Sequence, residues 1–170
     1  MSISFDRVEK TLRQNTFGTL STLTEDGAPH VTGVVYWVAA PGEPLNLYVT
    51  TRTTNRKVRN LRARPEVAFV VPAPHRFFPV FPPRAIQFLG TATIGCGRRR
   101  GGNRTFEGSW FLRRILATER RIVTEGGRLC FNRIRPNRTV FTYAIGMTVW
   151  DNLRQPRGAI GRVTIPESGR

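Results

Sequence analysis

The feature that most constrains the fold of this chain is a succession of short β-type runs separated by turn residues. Residues 17–23 alternate in character and are rich in β-branched side chains, residues 30–39 form a second such run, and Asp26-Gly27 between them is a strong hairpin signal. The segments with the same strand character farther along the chain are 45–50, 66–71, 85–94, 128–135 and 138–145, the last two broken at Pro136. Such a succession of short strands with few helices between them favours an antiparallel barrel over a βαβ sheet.

Three segments have helical rather than strand patterns. Apolar residues recur at three- and four-residue spacing in 4–14, which predicts a short helix. A second helix is expected to begin after Thr54 or Asn55 and to end before Pro65, because the residue before a proline disfavours the helical conformation. Residues 107–124 place an apolar stripe opposite several arginines and predict a third, amphipathic helix.

Length and composition set the organisation of the chain. With 170 residues it fits one domain, which we expect over 1–145, followed by a tail over 146–170 that packs on the barrel or on a partner subunit. We see no signal peptide and no run of about 18 apolar residues, so we expect a soluble, cytoplasmic protein with no membrane partner. The net charge of +16 favours anionic partners without choosing among them.

The two cysteines, Cys96 and Cys130, lie far apart and form no C-x-x-C pair. We therefore expect two ordinary thiols, with neither a metal site nor a disulfide.

The most informative stretch joins the third strand to the second helix. The strand ends in the hydroxyl residues Thr50 and Thr51, and Arg56 and Lys57 follow at the start of the helix. A helix N-terminus offers N–H groups and partial positive charge to a phosphate. An arginine can donate two hydrogen bonds to phosphate oxygens, and a lysine adds a positive charge. The pattern indicates a phosphate site, although a solvated helix start with surface charges explains the same spacing.

An ordered set of motifs extends over residues 5–145. The motifs are Phe17-Gly18-Thr19-Leu20-Ser21-Thr22, Asp26-Gly27-x-Pro29-His30, Thr50-Thr51, Arg56-Lys57, Asn60-Leu61, Pro65, Gly90 within 85–94, and Arg133-Ile134-Arg135-Pro136. In this order they resemble the pyridoxamine 5′-phosphate oxidase-like flavoprotein superfamily. The resemblance implies a mainly β fold with flanking helices, a six-stranded antiparallel split β-barrel, a homodimer, and FMN at the subunit interface. A small barrel is filled with side chains, so a planar cofactor needs such an outer groove.

The same resemblance implies a set of cofactor-binding residues and leaves the catalytic residues unassigned. The chain departs from the family where Asn55 replaces a serine, where Thr32 lies near the place of an arginine, and where Ala85 replaces a glutamine. These departures argue against pyridoxamine phosphate as the substrate. The implied cofactor-binding residues are Thr32, Val34, Val35, Tyr36, Thr50, Thr51, Asn55, Arg56 and Lys57.

Three functions are compatible with the sequence. The first is an FMN-dependent oxidoreductase that transfers hydride to or from a small organic substrate, as a homodimer whose candidate interface is the apolar run Val34 to Trp37. The second is a reductase on the same fold that uses the deazaflavin coenzyme F-420. The third is a non-catalytic module that binds nucleic acid or another anion through the Arg/Gly loop 95–104; since no reading motif accompanies that loop, we expect no specific nucleic-acid partner.

Overall fold

The computed structural model of the protein describes residues 3–74, 83–96, 129–147, 150, 154 and 156–167. The predicted helix over 107–124 and the Arg/Gly loop beyond Cys96 lie outside these residues. Within the described parts of the chain, no helix is both long and apolar enough to span a membrane.

Seven antiparallel strands and two α-helices make up the described fold. The helices are α1 (Phe5–Gln14) and α2 (Arg56–Ala63), and a 3₁₀ turn spans Pro156–Ala159. The strands are β1 (Phe17–Leu23), β2 (Pro29–Val38), β3 (Leu47–Arg52), β4 (Glu66–Ala73), β5 (Arg84–Cys96), β6 (Leu129–Tyr143) and β7 (Ile160–Thr164).

The strands close into the predicted barrel. Neighbours follow the order β3-β2-β1-β4-β5-β6-β7, and β3 also pairs with β6, so six strands form a closed ring. The first half of β6 pairs with β3, whereas residues 139–143 pair with β7. The prediction of a mainly β, six-stranded antiparallel barrel with flanking helices is confirmed, and the chain adds β7 within its C-terminal tail.

The expected break at Pro136 is wrong, because β6 runs continuously through that residue. The register between β5 and β6 shifts between Phe88 and Gly90, and Gly90 then pairs with Pro136. A β-bulge of this kind bends a strand and tolerates a residue that cannot donate to the ladder. A Cβ on Gly90 would lie 2.5 Å from the Arg135 carbonyl oxygen, so the bend requires glycine there.

The barrel interior is an aromatic and aliphatic core. The Phe69 ring lies edge-on to Tyr36 at 5.4 Å and stacks on Phe88 at 5.5 Å between centroids. The Tyr36 hydroxyl donates a 2.8 Å hydrogen bond to the Leu12 carbonyl oxygen and so ties α1 to β2. At α2, the Asn60 amide donates a 2.9 Å hydrogen bond to Thr22 Oγ1 on β1. The two helices therefore pack on the barrel through one buried polar contact each as well as through apolar surface.

The expectation of two free thiols is wrong. Cys130 at the start of β6 is disulfide-bonded, and Cys96, the other cysteine in the sequence, stands opposite it in the β5–β6 register. Sequence separation concealed this relationship, because pairing of two distant strands brings the two backbone positions together.

Candidate functional site

The candidate site is built around the start of α2, where β3 delivers the chain to the helix. Asn55 precedes the helix in an extended conformation and directs its side-chain amide to Thr51 Oγ1 at 3.0 Å rather than to the first helical turn. Thr51 itself is buried on the inner side of β3. The helix start is therefore held from the strand side, and the Asn55 side chain makes no hydrogen bond to the N–H groups of the first turn.

Two cations stand in that first turn. Arg56 is exposed and Lys57 is half-buried. Asp26, in the β1–β2 turn, is close enough to Arg56 for their charges to interact. The pKa of Asp26 lies below its ordinary value, first because Thr24 donates a side-chain hydrogen bond to its carboxylate and also because Arg56 attracts the ionised form. Asp26 therefore reduces the positive potential at the helix start without cancelling it.

The chemistry of these groups fits a phosphate. The helix N-terminus supplies N–H donors and partial positive charge, Arg56 supplies a guanidinium, Lys57 an ammonium, and Thr50, on the outer side of β3, a hydroxyl. The carboxylate of Asp26 interacts with the charge of Arg56. Such a set favours a multiply charged anion over a neutral ligand.

On the outer side of the barrel, β2, β3 and β6 carry a second packed cluster. Trp37 is buried there against the half-buried Val35, Tyr48 and Phe131. Cross-strand pairing places Trp37 opposite Tyr48 and Thr50 opposite Phe131. Burial raises the pKa of Tyr48 above its ordinary value. This aromatic surface borders the residues that fit a phosphate.

The structure separates the nine predicted cofactor-binding residues into three groups. Asn55, Arg56 and Lys57 cluster at the start of α2, whereas the half-buried Val35 and the buried Thr50 lie on the outer side of β2 and β3. The residues whose side chains point to the inner side of the barrel are Thr32, Val34, Tyr36 and Thr51, of which Val34 and Tyr36 belong to the core. Any contact of these core residues with a ligand outside the barrel is limited to their backbone groups.

Sequence reasoning missed Asp26 and Phe131 as neighbours of the site. Asp26 had been interpreted only as part of a hairpin turn, and its proximity to Arg56 depends on where α2 packs. Phe131 reaches Thr50 through the β3–β6 pairing that closes the barrel. A sequence signal exists for neither, because both relationships join distant segments. No group of three or more potential metal ligands occurs among the residues that the structure describes.

A family model matches more than half of the chain. The model of the family described as pyridoxamine 5'-phosphate oxidase matches residues 5–96, which include β1 to β5 and α2. No curated protein matches the chain.

Solved structures with the same fold carry several different ligand descriptions. A FAD-binding protein from Mesorhizobium loti has a TM-score of 0.59 and 19% identity over 82% of this chain and 92% of its own. A pyridoxamine 5'-phosphate oxidase-related, FMN-binding protein from Nostoc punctiforme has a TM-score of 0.57 and 12% identity over 84% of each chain. HutZ, the heme storage protein from Vibrio cholerae, has a TM-score of 0.57 and 17% identity over 86% of this chain and 98% of its own. At these identities the likeness establishes the fold alone.

Proposed function

This chain belongs to the pyridoxamine 5'-phosphate oxidase family, and from that premise we propose that it is a flavin-dependent oxidoreductase that binds FMN by its phosphate at the start of α2. The observation that carries the proposal is the outward-facing helix start with Arg56 and Lys57, which Asn55 leaves uncapped by bonding to Thr51 instead. The FMN-binding and FAD-binding proteins that share this fold support the choice of cofactor.

Each group at the helix start has a distinct part in holding the cofactor. Arg56 and Lys57 neutralise the phosphate, and the first turn of α2 and the Thr50 hydroxyl donate hydrogen bonds to it. The outer surface formed by Val35 and Phe131 offers an apolar wall to the ring system. The bound ring supplies the hydride-transfer chemistry. The protein therefore binds the cofactor, orients it and excludes water from it. We propose that the substrate is a small organic molecule.

The proposal includes a homodimer. Phe17 and Val31, on the outer side of β1 and β2, are 53% and 58% exposed, and the Phe17 ring covers Gly33. Exposed apolar side chains on the same side of two paired strands are typical of a surface that a partner covers. Because Val34 and Tyr36 lie in the core, the interface runs through these outward residues and Val35. Val31→Asp is expected to shift the protein in sedimentation from a dimer to the 19.2 kDa monomer.

A deazaflavin coenzyme is the second candidate cofactor. It shares a phosphate-bearing side chain with FMN but continues into an acidic tail, which suits a chain with a net charge of +16. Arg133, exposed on the outer side of β6 opposite Tyr48, is a specific cation near the same surface. Binding that depends on Arg133 for the deazaflavin and not for FMN would favour this candidate.

The test is a titration of the purified full chain with FMN, riboflavin, deazaflavin coenzyme and haem, followed by absorbance and fluorescence. We expect FMN to bind more tightly than riboflavin, which has the same ring without the phosphate. Replacing both Arg56 and Lys57 by alanine should weaken FMN binding by at least about 2 kcal/mol, because charge-assisted hydrogen bonds to the phosphate are lost.

A charge-matched control separates specific contacts from the general field. Arg59 and Arg62 are exposed on the same helix beyond its first turn. Their double alanine variant removes the same charge and should leave FMN affinity within about twofold, since screening weakens interactions between exposed charges. Equal losses in the two double variants would contradict the phosphate assignment. Tight haem binding without flavin binding would replace the proposal altogether.

A further inference from the structure

The interior of the barrel contains an amide that is buried without partners. Asn132, on β6, is 0% exposed, and neither its Nδ2 nor its Oδ1 has a hydrogen-bond partner in the part of the chain that the structure describes. Asn132 stands opposite Val49 on β3 and Ile94 on β5, both apolar. An amide without partners in an apolar interior costs stability, so its presence requires an explanation.

One polar side chain lies a diagonal step from this amide on the same inner side of the sheet. Thr51 pairs with Cys130 and Val49 pairs with Asn132, so Thr51 and Asn132 are diagonal neighbours across β3 and β6. Side chains in this relation are too far apart for direct contact between short groups but are separated by about the space of one water. A water between them would reach both.

The hydrogen-bonding capacity of Thr51 matches such a water. Its oxygen already accepts a hydrogen bond from the Asn55 amide at 3.0 Å. The hydroxyl proton still needs an acceptor, because a threonine hydroxyl donates one hydrogen bond and accepts up to two. Water can accept that proton, donate to Asn132 Oδ1 and accept from Asn132 Nδ2. The bridge would satisfy three groups that the protein fold alone leaves incomplete.

We infer that Asn132 and Thr51 bind an internal water, and that Asn132 acts through it as a positioning residue for the start of α2. The chain of contacts runs from Asn132 through the water to Thr51, then to Asn55, which precedes the helix. With its proton directed into the barrel, Thr51 presents its oxygen to Asn55 in one fixed orientation. This inference rests on the proposed function only for its consequence, the affinity for a phosphate at the helix start.

The test compares Asn132→Leu, which keeps the branched shape of the side chain without its polar atoms, with wild type. We expect equal or higher thermal stability together with FMN affinity lowered about fivefold, the equivalent of one hydrogen bond. Thr51→Val should have a similar effect on affinity, and the double variant should lose no more than either single one, because both act through the same bridge. Additive losses, or unchanged affinity in Asn132→Leu, would overturn the inference.

A matched control and a direct measurement keep the inference separate from the proposed function. Thr142, also on β6 and buried without a partner for its hydroxyl among the described residues, lies in the half of the strand that pairs with β7. Thr142→Val should leave FMN affinity unchanged. In the ligand-free protein, the side-chain amide of Asn132 should show a nuclear Overhauser effect to a long-lived water that disappears in Thr51→Val. Absence of that signal contradicts the water site even if FMN binds, and failure of FMN to bind with the signal present contradicts only the proposed function.

Discussion

The Asn55 side-chain amide donates a 3.0 Å hydrogen bond to the hydroxyl oxygen of Thr51, which lies four residues earlier in the chain on the inner side of the barrel. An asparagine before a helix ordinarily accepts hydrogen bonds from the first-turn N–H groups. Here it fastens the helix start to β3 instead. We expect this arrangement to favour binding of an external anion at the N-terminus of α2, because the Asn55 side chain does not occupy the N–H donors of the first turn.

Replacing Asn55 by aspartate tests this preparation. The carboxylate would accept hydrogen bonds from the first turn and place a negative charge where the phosphate is proposed to bind, so FMN affinity should fall about tenfold or more. Riboflavin, which lacks the phosphate, should bind as it does to wild type. Fluorescence titration with both ligands distinguishes these outcomes, and an equal loss for riboflavin would show that the substitution acts on the fold rather than on phosphate.

Replacing Asp26 by asparagine should have the opposite sign. The substitution keeps an acceptor for Thr24 and removes the negative charge beside Arg56. FMN affinity should then rise by up to about fivefold, the upper range for an exposed charge pair, and the gain should shrink in high salt. Titration at low and high ionic strength measures it. A fall in affinity would mean that Asp26 orients Arg56 for binding rather than competing for its charge.

The same substitution changes the acid limb of the stability curve. The pKa of Asp26 is lowered in the folded protein, so the group contributes stability above its unfolded pKa of about 3.9. That contribution is lost as the pH falls through the folded value. Between pH 7 and about pH 3, chemical denaturation should therefore show a smaller loss of the free energy of unfolding for Asp26→Asn than for wild type. Equal losses of that free energy in the two proteins would contradict this role of Asp26.

Tyr36→Phe tests the contact between α1 and the barrel. The substitution removes the 2.8 Å hydrogen bond to the Leu12 carbonyl oxygen and should reduce the free energy of unfolding by about 1 kcal/mol. Burial raises the pKa of Tyr36, so its stabilising effect is complete below about pH 10, the ordinary pKa of tyrosine, and is lost above it. In urea denaturation, the free energies of unfolding of wild type and Tyr36→Phe should become more alike as the pH rises above about 10. Tyr143→Phe, at an exposed position, serves as the control and should change stability little.

Gly90→Ala tests the bulge that carries β6 through Pro136. A methyl group at Gly90 would meet the Arg135 carbonyl oxygen at 2.5 Å, a backbone atom that cannot move aside without disturbing the pairing. We expect a loss of about 1–3 kcal/mol, typical of overpacking. Gly95→Ala on the same strand, where the nearest atom is at 3.5 Å, should cost less. Equal free energies of unfolding for the two variants in urea would show that the backbone at the bulge can adjust to a methyl group at little cost.

Local sequence patterns predicted most of the elements. The apolar spacing of 4–14 predicted α1, Asp26-Gly27 predicted the β1–β2 hairpin, and Asn55 and Pro65 bracketed α2 closely. These signals are local because turns, helix ends and alternating strands are governed by the conformational preferences of adjacent residues. The position of the cations Arg56 and Lys57 at the start of α2 could be predicted for the same reason, since both belong to one short segment.

What only the tertiary structure decided are the relationships between segments far apart in the chain. The continuity of β6 through Pro136 depends on a bulge opposite Gly90, and the disulfide at Cys130 depends on the pairing of β5 with β6. The burial of Asn132 beside Thr51 likewise follows from closure of the barrel by β3 and β6. The sequence by itself determined the barrel's elements and the charge at the start of α2, because these arise within short stretches. Barrel closure decided which side chains meet, because register between distant strands is set by the packing of the whole core.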